Sequence, residues 1–516
     1  MNKKLLPFLI ITAALSLSGC SFFDIITSNE ETSSYTEWAK EKQKLTYTQK
    51  DLNKVYYSHN GQIEYMPTTG TPKLLVVPIS FTDTKDFLSD TEKDEMLVNI
   101  EKVCFGTNED TGWYSINSYF LAESYGACNI QGEVASWYEC GYSYDYFTSS
   151  ERIDSVVTAA VNNWKTNNPD KVQEFDSDSD GYIDGVIAVY GGPNYGNSSK
   201  LKRHSVNKNM WAYTTWLLTS PDSASPNPNC YIWASYDFME KDISNGVLID
   251  GHTYIHEMGH VMGLDDYYDY ADQGTWAGGY SMQDYNVGGH DPYSMMVLGW
   301  VDPYVPTSST TITINSFATS GDVVLLSPDF SSNSAFDEYI LLELYTPTGV
   351  NEHDSSYQYN STYPKGPTRP GIRIWHVDSR LLKNYQIIKK GKDYYSTYDS
   401  ITNVIDDTSV GYIVGPTNTT YLERGGSDSN GYASASAELR PYHLLELIRK
   451  GDNAGLYTDQ AVTYNYLFTD GDTFTLQDYF GYFDKMYYMN NGSSLKWSVK
   501  VDSVSSDSAT IILARG

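Results

Sequence analysis

Cysteine, basic residues and long apolar runs are all scarce in this chain of 516 residues. Five cysteines are too few for a fold that depends on disulfides, and no two have the Cys-x-x-Cys spacing of a thiolate metal site. The 35 basic residues stand against 65 acidic ones, and the formal charge of −30 argues against a nucleic-acid partner because it repels phosphate backbones. Beyond the N-terminus, no apolar run approaches the roughly 18 residues of a membrane span.

The N-terminal stretch MNKKLLPFLIITAALSLSGC has the pattern of an export signal. Two lysines precede a short apolar core, which ends in a Leu-Ser-Gly-Cys sequence that resembles a bacterial lipoprotein signal. We expect residues 1–19 to be the signal peptide and Cys20 to carry lipid that anchors the chain at the bacterial cell surface. The alternative is an ordinary cleaved signal with a cysteine there by chance. An oxidising location permits disulfides among the remaining cysteines, whose pairing the sequence leaves open. These are Cys104, Cys128, Cys140 and Cys230.

The chain divides into regions of different composition. Residues 20–69 are polar with no clear core face, which predicts a tether or short leader. Over residues 70–300, strand-like apolar runs (KLLVVPISF, GVIAVYGG) alternate with runs of helical periodicity (RIDSVVTAAVNNWK), which predicts an α/β domain. Over residues 301–516, short β-rich runs separated by Gly, Pro, Ser and Asn predict a β-sandwich-like region of one or two subdomains. The predicted fold class is therefore α+β.

The stretch HTYIHEMGHVMGLDDYYD, which begins at His252, has the spacing of a metal site. His256 and His260 are four residues apart, so on a helix both imidazoles lie on one face and can bind one zinc ion. Glu257 can then accept a proton from a zinc-bound water, whose pKa the metal lowers toward roughly 7. His252 shares the face of His256 but is expected to precede the helix. The motif predicts a zinc hydrolase with Glu257 as its general base.

A third zinc ligand is expected just after this helix. Gly263 can adopt a positive φ and end the helix, so that the carboxylate of Asp266 points back at the same ion. The neighbouring Asp265 is the rival for this position. Downstream, Met282 follows a Gly-rich turn and is interpreted as the methionine of a Met-turn, an apolar floor beneath the metal. Asp284 stands where some metzincins have a tyrosine, so no tyrosine ligand is predicted there.

A second metal site is predicted in DSDSDGYIDG, which resembles an EF-hand-type calcium loop. Gly181 allows the sharp turn of such a loop, but its last position is Ile187 rather than Glu, so one ligand must come from elsewhere. Because the loop runs into a predicted strand, the calcium is expected to be structural. An acidic turn that binds no ion is the alternative. The predicted calcium ligands are Asp176, Asp178, Asp180, Tyr182 and Asp184.

Together these segments resemble the immune inhibitor A family of secreted bacterial zinc metalloproteases. The likeness covers most of residues 70–380, in family order. It lies in LLVVPISFTD, SINSYFLAESYGACNIQGEVASWY, DSDSDGYIDGVIAVYGG, HEMGHVMGLDDYYD, YSMMVLGWVDP, EYILLELYTPTGVNEHD and GIRIWHVD. The resemblance implies a metzincin-like fold and a zinc endopeptidase with His256, His260 and Asp266 as ligands and the motif glutamate as catalytic base. The family typically has Pro at the position of Asp265, and the region before the first strand is short for a family propeptide.

Two functions from different classes follow as hypotheses. The first is a monomeric, lipid-anchored zinc endopeptidase at the cell surface that hydrolyses peptide bonds of protein or peptide substrates. The second is a non-catalytic surface lipoprotein that binds partners through its β-rich C-terminal half and carries a vestigial zinc motif. A zinc amidase for another substrate class would fit the same motif. His376 lies outside the motif on an alternating strand pattern, which favours a packed histidine over a catalytic one.

Overall fold

The chain folds into a mixed α/β architecture with several sheets, in agreement with the predicted α+β class. The structure is a computed structural model that describes residues 41–60, 64–147, 149–201, 204–240, 246–270, 275–359, 363–390, 393–419, 439, 442–451, 461–483 and 485–516. The predicted signal peptide and Cys20 lie outside these residues. No helix within the described ranges is long and apolar enough to cross a membrane.

The elements are labelled in chain order. The helices are α1 (Gln49–Asn60), α2 (Asp90–Phe105), α3 (Asn108–Thr111), α4 (Ile116–Glu123), α5 (Ser150–Asn167), α6 (Ser198–Leu201), α7 (His252–Val261), α8 (Met282–Tyr285), α9 (Pro292–Val297), α10 (Phe317–Ser320) and α11 (Glu352–Ser356). The strands are β1 (Lys73–Ser80), β2 (Gln131–Val134), β3 (Tyr138–Glu139), β4 (Gly185–Tyr190), β5 (Tyr213–Trp216), β6 (Cys230–Ser235), β7 (Thr310–Asn315), β8 (Val323–Leu326), β9 (Glu338–Tyr345), β10 (Gly371–Asp378), β11 (Leu381–Lys383), β12 (Gln386–Lys390), β13 (Asp393–Thr397), β14 (Ser400–Thr402), β15 (Tyr412–Val414), β16 (Leu445–Ile448), β17 (Thr473–Thr475), β18 (Trp497–Val504) and β19 (Ser508–Arg515).

The first sheet positions the candidate site. Its strand order is β2-β1-β4-β6-β5, with β3 also paired to β1. The strands β1, β2, β4 and β6 are parallel, and β5 runs antiparallel to β6 at the edge. Alternate residues of β1 face opposite cores, with Val76 packed in the core of Ile255 on α7 and Val77 in that of Val157 on α5. Burial on both faces explains the continuous apolar runs, and both predicted strands are confirmed as β1 and β4.

Two antiparallel sheets form much of the region after residue 300. Their strand orders are β16-β10-β9-β8 and β17-β18-β19-β7, and smaller pairings join β14-β11-β15 and β12-β13. The two larger sheets share a core that contains Leu342 and Ile374 from the first sheet and Val499 and Ile511 from the second. Facing sheets of this kind are what the β-rich composition predicts.

The sheet β16-β10-β9-β8 is buried on both of its faces. Leu342 and Ile374 lie in the core between the two sheets. Leu341 and Trp375, which are next to them in the chain, belong instead to the core that contains Ile255 of the zinc-motif helix. Successive side chains of a strand point to opposite faces, so this single sheet serves two cores. The regions before and after residue 300 are therefore joined by a common hydrophobic core.

The segment before β1 differs from the predicted tether over residues 20–69. Its described part packs on the fold, and the Ala335 amide donates to the Tyr47 carbonyl at 3.0 Å. Its apolar side chains are few and are separated by polar ones, so the sequence shows no regular core face although the segment has one. The buried apolar residues of this segment are Leu45, Leu52, Val55 and Met66.

The four cysteines within the described part of the chain form no disulfide. Each is buried, and burial raises the pKa of the Cys128 thiol to about 12, which keeps it protonated and unreactive. They therefore act as small apolar packing residues. They are Cys104, Cys128, Cys140 and Cys230.

Candidate active site

The zinc-motif helix α7 lies in the interior against β5 and β6. It begins at His252, so the expectation that this histidine precedes the helix is wrong. Helix α7 packs closely on α8, because a Cβ atom at Gly259 would lie only 2.2 Å from the side-chain oxygen of Gln283. Any larger residue at this motif position would have to displace the Gln283 side chain. The helix ends as predicted, with Gly263 at φ 98°.

Three candidate ligand atoms converge at the end of α7. The Nε2 atoms of His256 and His260 are 3.2 Å apart, and they lie 3.0 and 3.2 Å from Oδ1 of Asp266. These side chains form a group that can hold one metal ion. The rival ligand, Asp265, is exposed and does not join the group. The predicted ligand set is thus brought together by the fold.

The hydrogen bonds of the imidazoles prepare both rings for a metal. His256 Nδ1 donates to the carbonyl of Met282 at 2.7 Å, and His260 Nδ1 donates to the carbonyl of Leu264 at 2.8 Å. Because a carbonyl can only accept, a neutral ring in this orientation leaves the lone pair on Nε2. Oδ1 of Asp266 is buried and has no hydrogen-bond partner. Two imidazoles and one carboxylate with these free positions fit a zinc ion.

The electrostatics of this group also favour a positive charge between its members. Burial alone would lower the pKa of His260, but the charge of Asp266 outweighs it and raises the pKa to about 10. Metal ions bind deprotonated ligands, so a zinc ion would displace this proton. Burial raises the pKa of Glu257, while the two motif histidines lower it. The Thr214 hydroxyl of β5 donates to Oε2 of Glu257 at 2.9 Å and so orients the carboxylate.

The predicted Met-turn residue, Met282, is the first residue of α8 and is completely buried. Its carbonyl accepts a hydrogen bond from the imidazole of His256, so its backbone as well as its side chain lies beside the candidate site. Two residues later, Asp284 lies 2% exposed on the wall of the active-site cleft. Burial raises its pKa to about 7, against the hydrogen bond from Gly279 and the charge of Arg449.

The candidate zinc site opens into a cleft of about 1380 Å³. The edge strand β5 lines this cleft through Tyr213, Thr214 and Trp216. Its further lining includes His256, Glu257 and the segment after the helix. Strand edges present backbone groups that can pair with an extended chain.

Five tyrosines form a continuous wall in this cleft, which we call the tyrosine wall. Successive ring centroids are separated by 5.5, 6.4, 6.4 and 5.0 Å, and the Tyr268 ring lies 6.5 Å from the ring of His256. Apart from the high tyrosine content, the sequence gives no sign of this wall because its members come from three separate segments. In spatial order they are Tyr270, Tyr268, Tyr285, Tyr363 and Tyr359.

His252 anchors the start of α7 to the region after residue 300. Its ring is stacked between Trp113 at 3.6 Å and Tyr359 at 3.9 Å, and its nitrogens lie 2.8 Å from Asp250 and 3.2 Å from Asp354. Burial alone would lower its pKa, but the two carboxylates raise it to about 9. The imidazolium therefore carries a buried positive charge between two aromatic faces, an arrangement that stabilises it.

The predicted calcium loop brings together only part of its ligand set. Carboxylate oxygens of Asp176, Asp178 and Asp184 lie within 4.8 Å of one another. The Asp184 side chain also accepts from the backbone amides of Lys73 at 2.6 Å and Ser177 at 2.9 Å. Burial and, to a smaller extent, the charge of Asp178 raise the pKa of Asp184 to about 7.

Asp180 instead faces Glu64, which comes from the segment before β1 and was not predicted as a ligand. Burial and the charges of Asp180 and Asp178 raise the pKa of Glu64 to about 8. The carbonyl of Glu64 accepts the indole N–H of Trp216 at 3.0 Å, so this residue joins the loop to the cleft. Ile187, at the last loop position, is buried in β4, and Glu64 is the carboxylate that can take its place.

His376 lies outside the cleft, in the interior of β10. Its Nε2 is 3.0 Å from Glu338 and its Nδ1 is 3.3 Å from Glu446. The ring is 1% exposed and packs against Phe483 at 4.5 Å. It is a packed, hydrogen-bonded histidine, as its place on a strand predicts.

Comparison with known proteins adds no relative to these observations. No protein-family model matches the sequence, and no curated protein matches it. The likeness to the immune inhibitor A family therefore rests on the motifs alone. The geometry of the cleft, the ligand group and the nearby glutamate is the basis on which a function is assigned.

Proposed function

We propose that this protein is a zinc-dependent endopeptidase of the metzincin-like, immune inhibitor A type, held at the bacterial cell surface by lipid on Cys20. The observation that carries this proposal is the convergence of His256, His260 and Asp266, with Glu257 beside them, at the base of an open cleft. Three ligands from the protein leave a zinc ion with an open coordination position, which is the pattern of catalytic rather than structural zinc sites.

Zinc, when bound, would supply Lewis-acid polarisation of the scissile carbonyl and activation of a water. The residues of the chain do the rest. Glu257 takes the proton of the attacking water and returns it to the leaving amine, and the Thr214 hydroxyl keeps its carboxylate in place. The carbonyls of Met282 and Leu264 fix both imidazoles in the tautomer that a metal requires.

The proposal includes a structural calcium ion in the loop after α5. Asp176, Asp178 and Asp184 would supply carboxylates from the loop, and Glu64 would supply the one that the EF-hand pattern lacks. The role follows from the position of the loop at the start of β4, beside the segment that carries Glu64. A cation there would hold that segment against the first sheet.

Replacement of Glu257 by Gln tests the mechanism. Because Gln cannot accept a proton, hydrolysis of casein should fall by about 10²–10⁴-fold, while the zinc content measured by mass spectrometry stays at the wild-type value. Glu109→Gln, an exposed substitution outside the cleft with the same change in charge, should leave the rate unchanged. A chelator should stop the wild-type enzyme, and zinc should restore it. Full activity of the Glu257→Gln variant would contradict the proposal.

A further inference from the structure

A buried histidine lies among three carboxylates away from the candidate active site. His204 follows α6, and its side chain is only 6% exposed. Asp83 and Asp86 come from the turn after β1, and Asp145 comes from the segment between β3 and α5. Nδ1 of His204 lies 3.4 Å from Oδ2 of Asp145 and 3.9 Å from Oδ2 of Asp83. Its Nε2 lies 3.6 Å from Oδ2 of Asp86.

The ring of His204 does not form the hydrogen bonds of an ion pair. Both of its nitrogens are buried, and neither has a hydrogen-bond partner among the described residues. A buried imidazolium would be expected to donate to such carboxylates at about 2.7–2.9 Å. His252 has a contact of this kind, at 2.8 Å from Asp250. The longer contacts of His204 are closer to the spacing of ligands that share a metal, because atoms about 2.0–2.2 Å from a tetrahedral ion lie about 3.3–3.6 Å apart.

Backbone contacts turn the free oxygens of two aspartates toward Nδ1. Oδ1 of Asp83 accepts the amide of Tyr144 at 2.9 Å, and Oδ1 of Asp145 accepts the amide of Ser205 at 3.3 Å. In each carboxylate it is therefore Oδ2 that faces the ring. A neutral imidazole with its proton on Nε2 would present the lone pair of Nδ1 to both of these oxygens.

The surroundings of this group are those of a metal-binding imidazole. Asp86 lies on the Nε2 side, where a metal-bound imidazole usually has a carboxylate to accept its remaining N–H. The His204 ring packs against the rings of Phe87 and Tyr144, at 4.7 and 5.5 Å, so its orientation is fixed. The side chain of Asp145 is 49% exposed, which gives an ion a path of entry from the solvent.

We propose that Asp83, Asp145 and His204 bind a second zinc ion, and that Asp86 orients the imidazole through its other nitrogen. A ligand set of one nitrogen and two carboxylates suits zinc and similar first-row metals, whereas calcium and magnesium take oxygen ligands. The ion would be structural. It would fasten the segment after β4, whose residues Asn194 and Asn197 line the active-site cleft, to the turn after β1.

The zinc content of the purified full chain tests this proposal. Substitution of His256→Ala together with His260→Ala removes two ligands of the candidate active site, so that any zinc still bound reports on the second site. Excess calcium in the buffer keeps zinc from the candidate calcium loop. Measured by mass spectrometry after dialysis against zinc, the wild type should hold two zinc ions per chain and the double variant one.

Further substitutions assign this zinc to the proposed ligands. His204→Asn should lower the zinc content of the wild type and of the double variant by one ion per chain. Asp145→Asn changes a half-exposed side chain that the fold does not need, and it should weaken zinc binding to the double variant by at least tenfold in calorimetric titration. Asp170→Asn, an exposed substitution outside the group with the same change in charge, should leave this affinity unchanged.

Thermal stability gives a second measurement of the same ion. Zinc at about 100-fold above its Kd should raise the melting temperature of the double variant by on the order of 3–5 °C, because the ion binds the folded state alone. The rise should be absent once His204→Asn is added to the double variant.

Three results would each overturn the second zinc site. The first is a double variant that binds no zinc. The second is a zinc content that stays the same after His204→Asn, which would place the ion elsewhere. The third is a ¹⁵N-histidine spectrum in which His204 keeps protons on both nitrogens in excess zinc, since the ring would then be an ion-pair partner of the aspartates only. None of these results depends on whether the protein is a peptidase.

Discussion

His376 shows how single residues in this protein carry buried charge. Its ring lies between Glu338 and Glu446 in the interior, and Glu446 is also bonded to His443. Burial alone would lower the pKa of His376, but the hydrogen bonds and charges of the two glutamates raise it to about 10. A histidine in the unfolded chain titrates near 6.5. The folded state therefore holds a proton that the unfolded state releases.

This difference predicts a loss of stability in alkali. A raised folded pKa contributes its full stabilisation below pH of about 6.5, and the contribution disappears as the pH rises to about 10. The free energy of unfolding should therefore fall between pH 7 and pH 10 by on the order of 2–4 kcal/mol from this network. Urea unfolding of the inactive Glu257→Gln protein measures the fall, and ¹⁵N-histidine spectra should show His376 doubly protonated at pH 8.

The matched control removes His376 and the two carboxylates that face it. A variant with His376→Gln, Glu338→Gln and Glu446→Gln should lose markedly less stability between pH 7 and pH 10 than the parent protein, whatever its absolute stability. An equal alkaline loss in both proteins, or a neutral His376 at pH 8, would show that this histidine does not hold the proton.

For single residues, the spacing along the chain made part of the candidate site predictable. His256 and His260 lie one helical turn apart, and Asp266 follows a glycine that ends the helix, so their convergence is a matter of short-range geometry. The partners of His252 were not predictable in this way, because Asp354 is 102 residues further along the chain. Glu64 was missed for the same reason. Such contacts depend on the tertiary fold, which one sequence does not reveal.

Among the secondary-structure elements, too, some could be predicted from the sequence and others could not. Strands β9 and β10 lie in the region of short β-rich runs, and both of their faces are buried. Helix α1 was missed, since its contribution to the core comes from isolated residues such as Leu52 and Val55 in a polar sequence. An amphipathic period needs several apolar residues on one face, and residues 49–55, the part of the helix whose side chains the structure describes, give too weak a pattern.

The candidate calcium loop is the element whose stability should depend most on an ion. In buffer freed of calcium but supplied with constant zinc, the melting temperature should be lower than in excess calcium. At a calcium concentration about 100-fold above Kd, binding to the folded state alone contributes ~2.7 kcal/mol, which raises the melting temperature by on the order of 5 °C. Differential scanning calorimetry measures the shift.

Two substitutions assign the shift to this loop. Asp178→Asn should abolish the calcium-dependent rise, and Glu64→Gln should reduce it, because both remove a carboxylate from the same group of charges. Asp170→Asn, an exposed substitution close in sequence, should keep the full rise. A rise that is unchanged in the Asp178→Asn variant would place the calcium elsewhere or show that the loop is an acidic turn.

At the scale of the whole molecule, the region after residue 300 helps to build the candidate active site. The amide of Gly288, in the loop after α8, donates to Asp354 at 2.8 Å. The side chain of Asn418 donates to the carbonyl of Tyr267, next to the candidate zinc ligand Asp266, at 3.1 Å. Composition suggested a boundary near residue 300 because strands replace helices there. Side chains from both sides of this position pack in one hydrophobic core.

A chain that ends at residue 300 should therefore fail to fold cooperatively. Side chains such as Leu341, Trp375 and Leu445 complete the core around α7, and each contributes about 1.5–3 kcal/mol when buried. Loss of only five such side chains removes on the order of 10 kcal/mol, as much as the whole stability of a typical domain. The fragment should have no near-ultraviolet circular dichroism and no cooperative melting transition, and it should bind a hydrophobic dye.

A control distinguishes the absence of the region after residue 300 from a break in the chain that connects it to the first region. In the Glu257→Gln background, a protease site inserted between the exposed Ser308 and Ser309 allows the chain to be cut after folding. Because the two parts share a buried core and backbone hydrogen bonds, such as that from Leu447 to Trp276 at 2.8 Å, they should stay associated and keep the near-ultraviolet spectrum. A fragment ending at residue 300 that melts cooperatively by itself would show that the first region is an independent domain, and that the common core is only an interface between two.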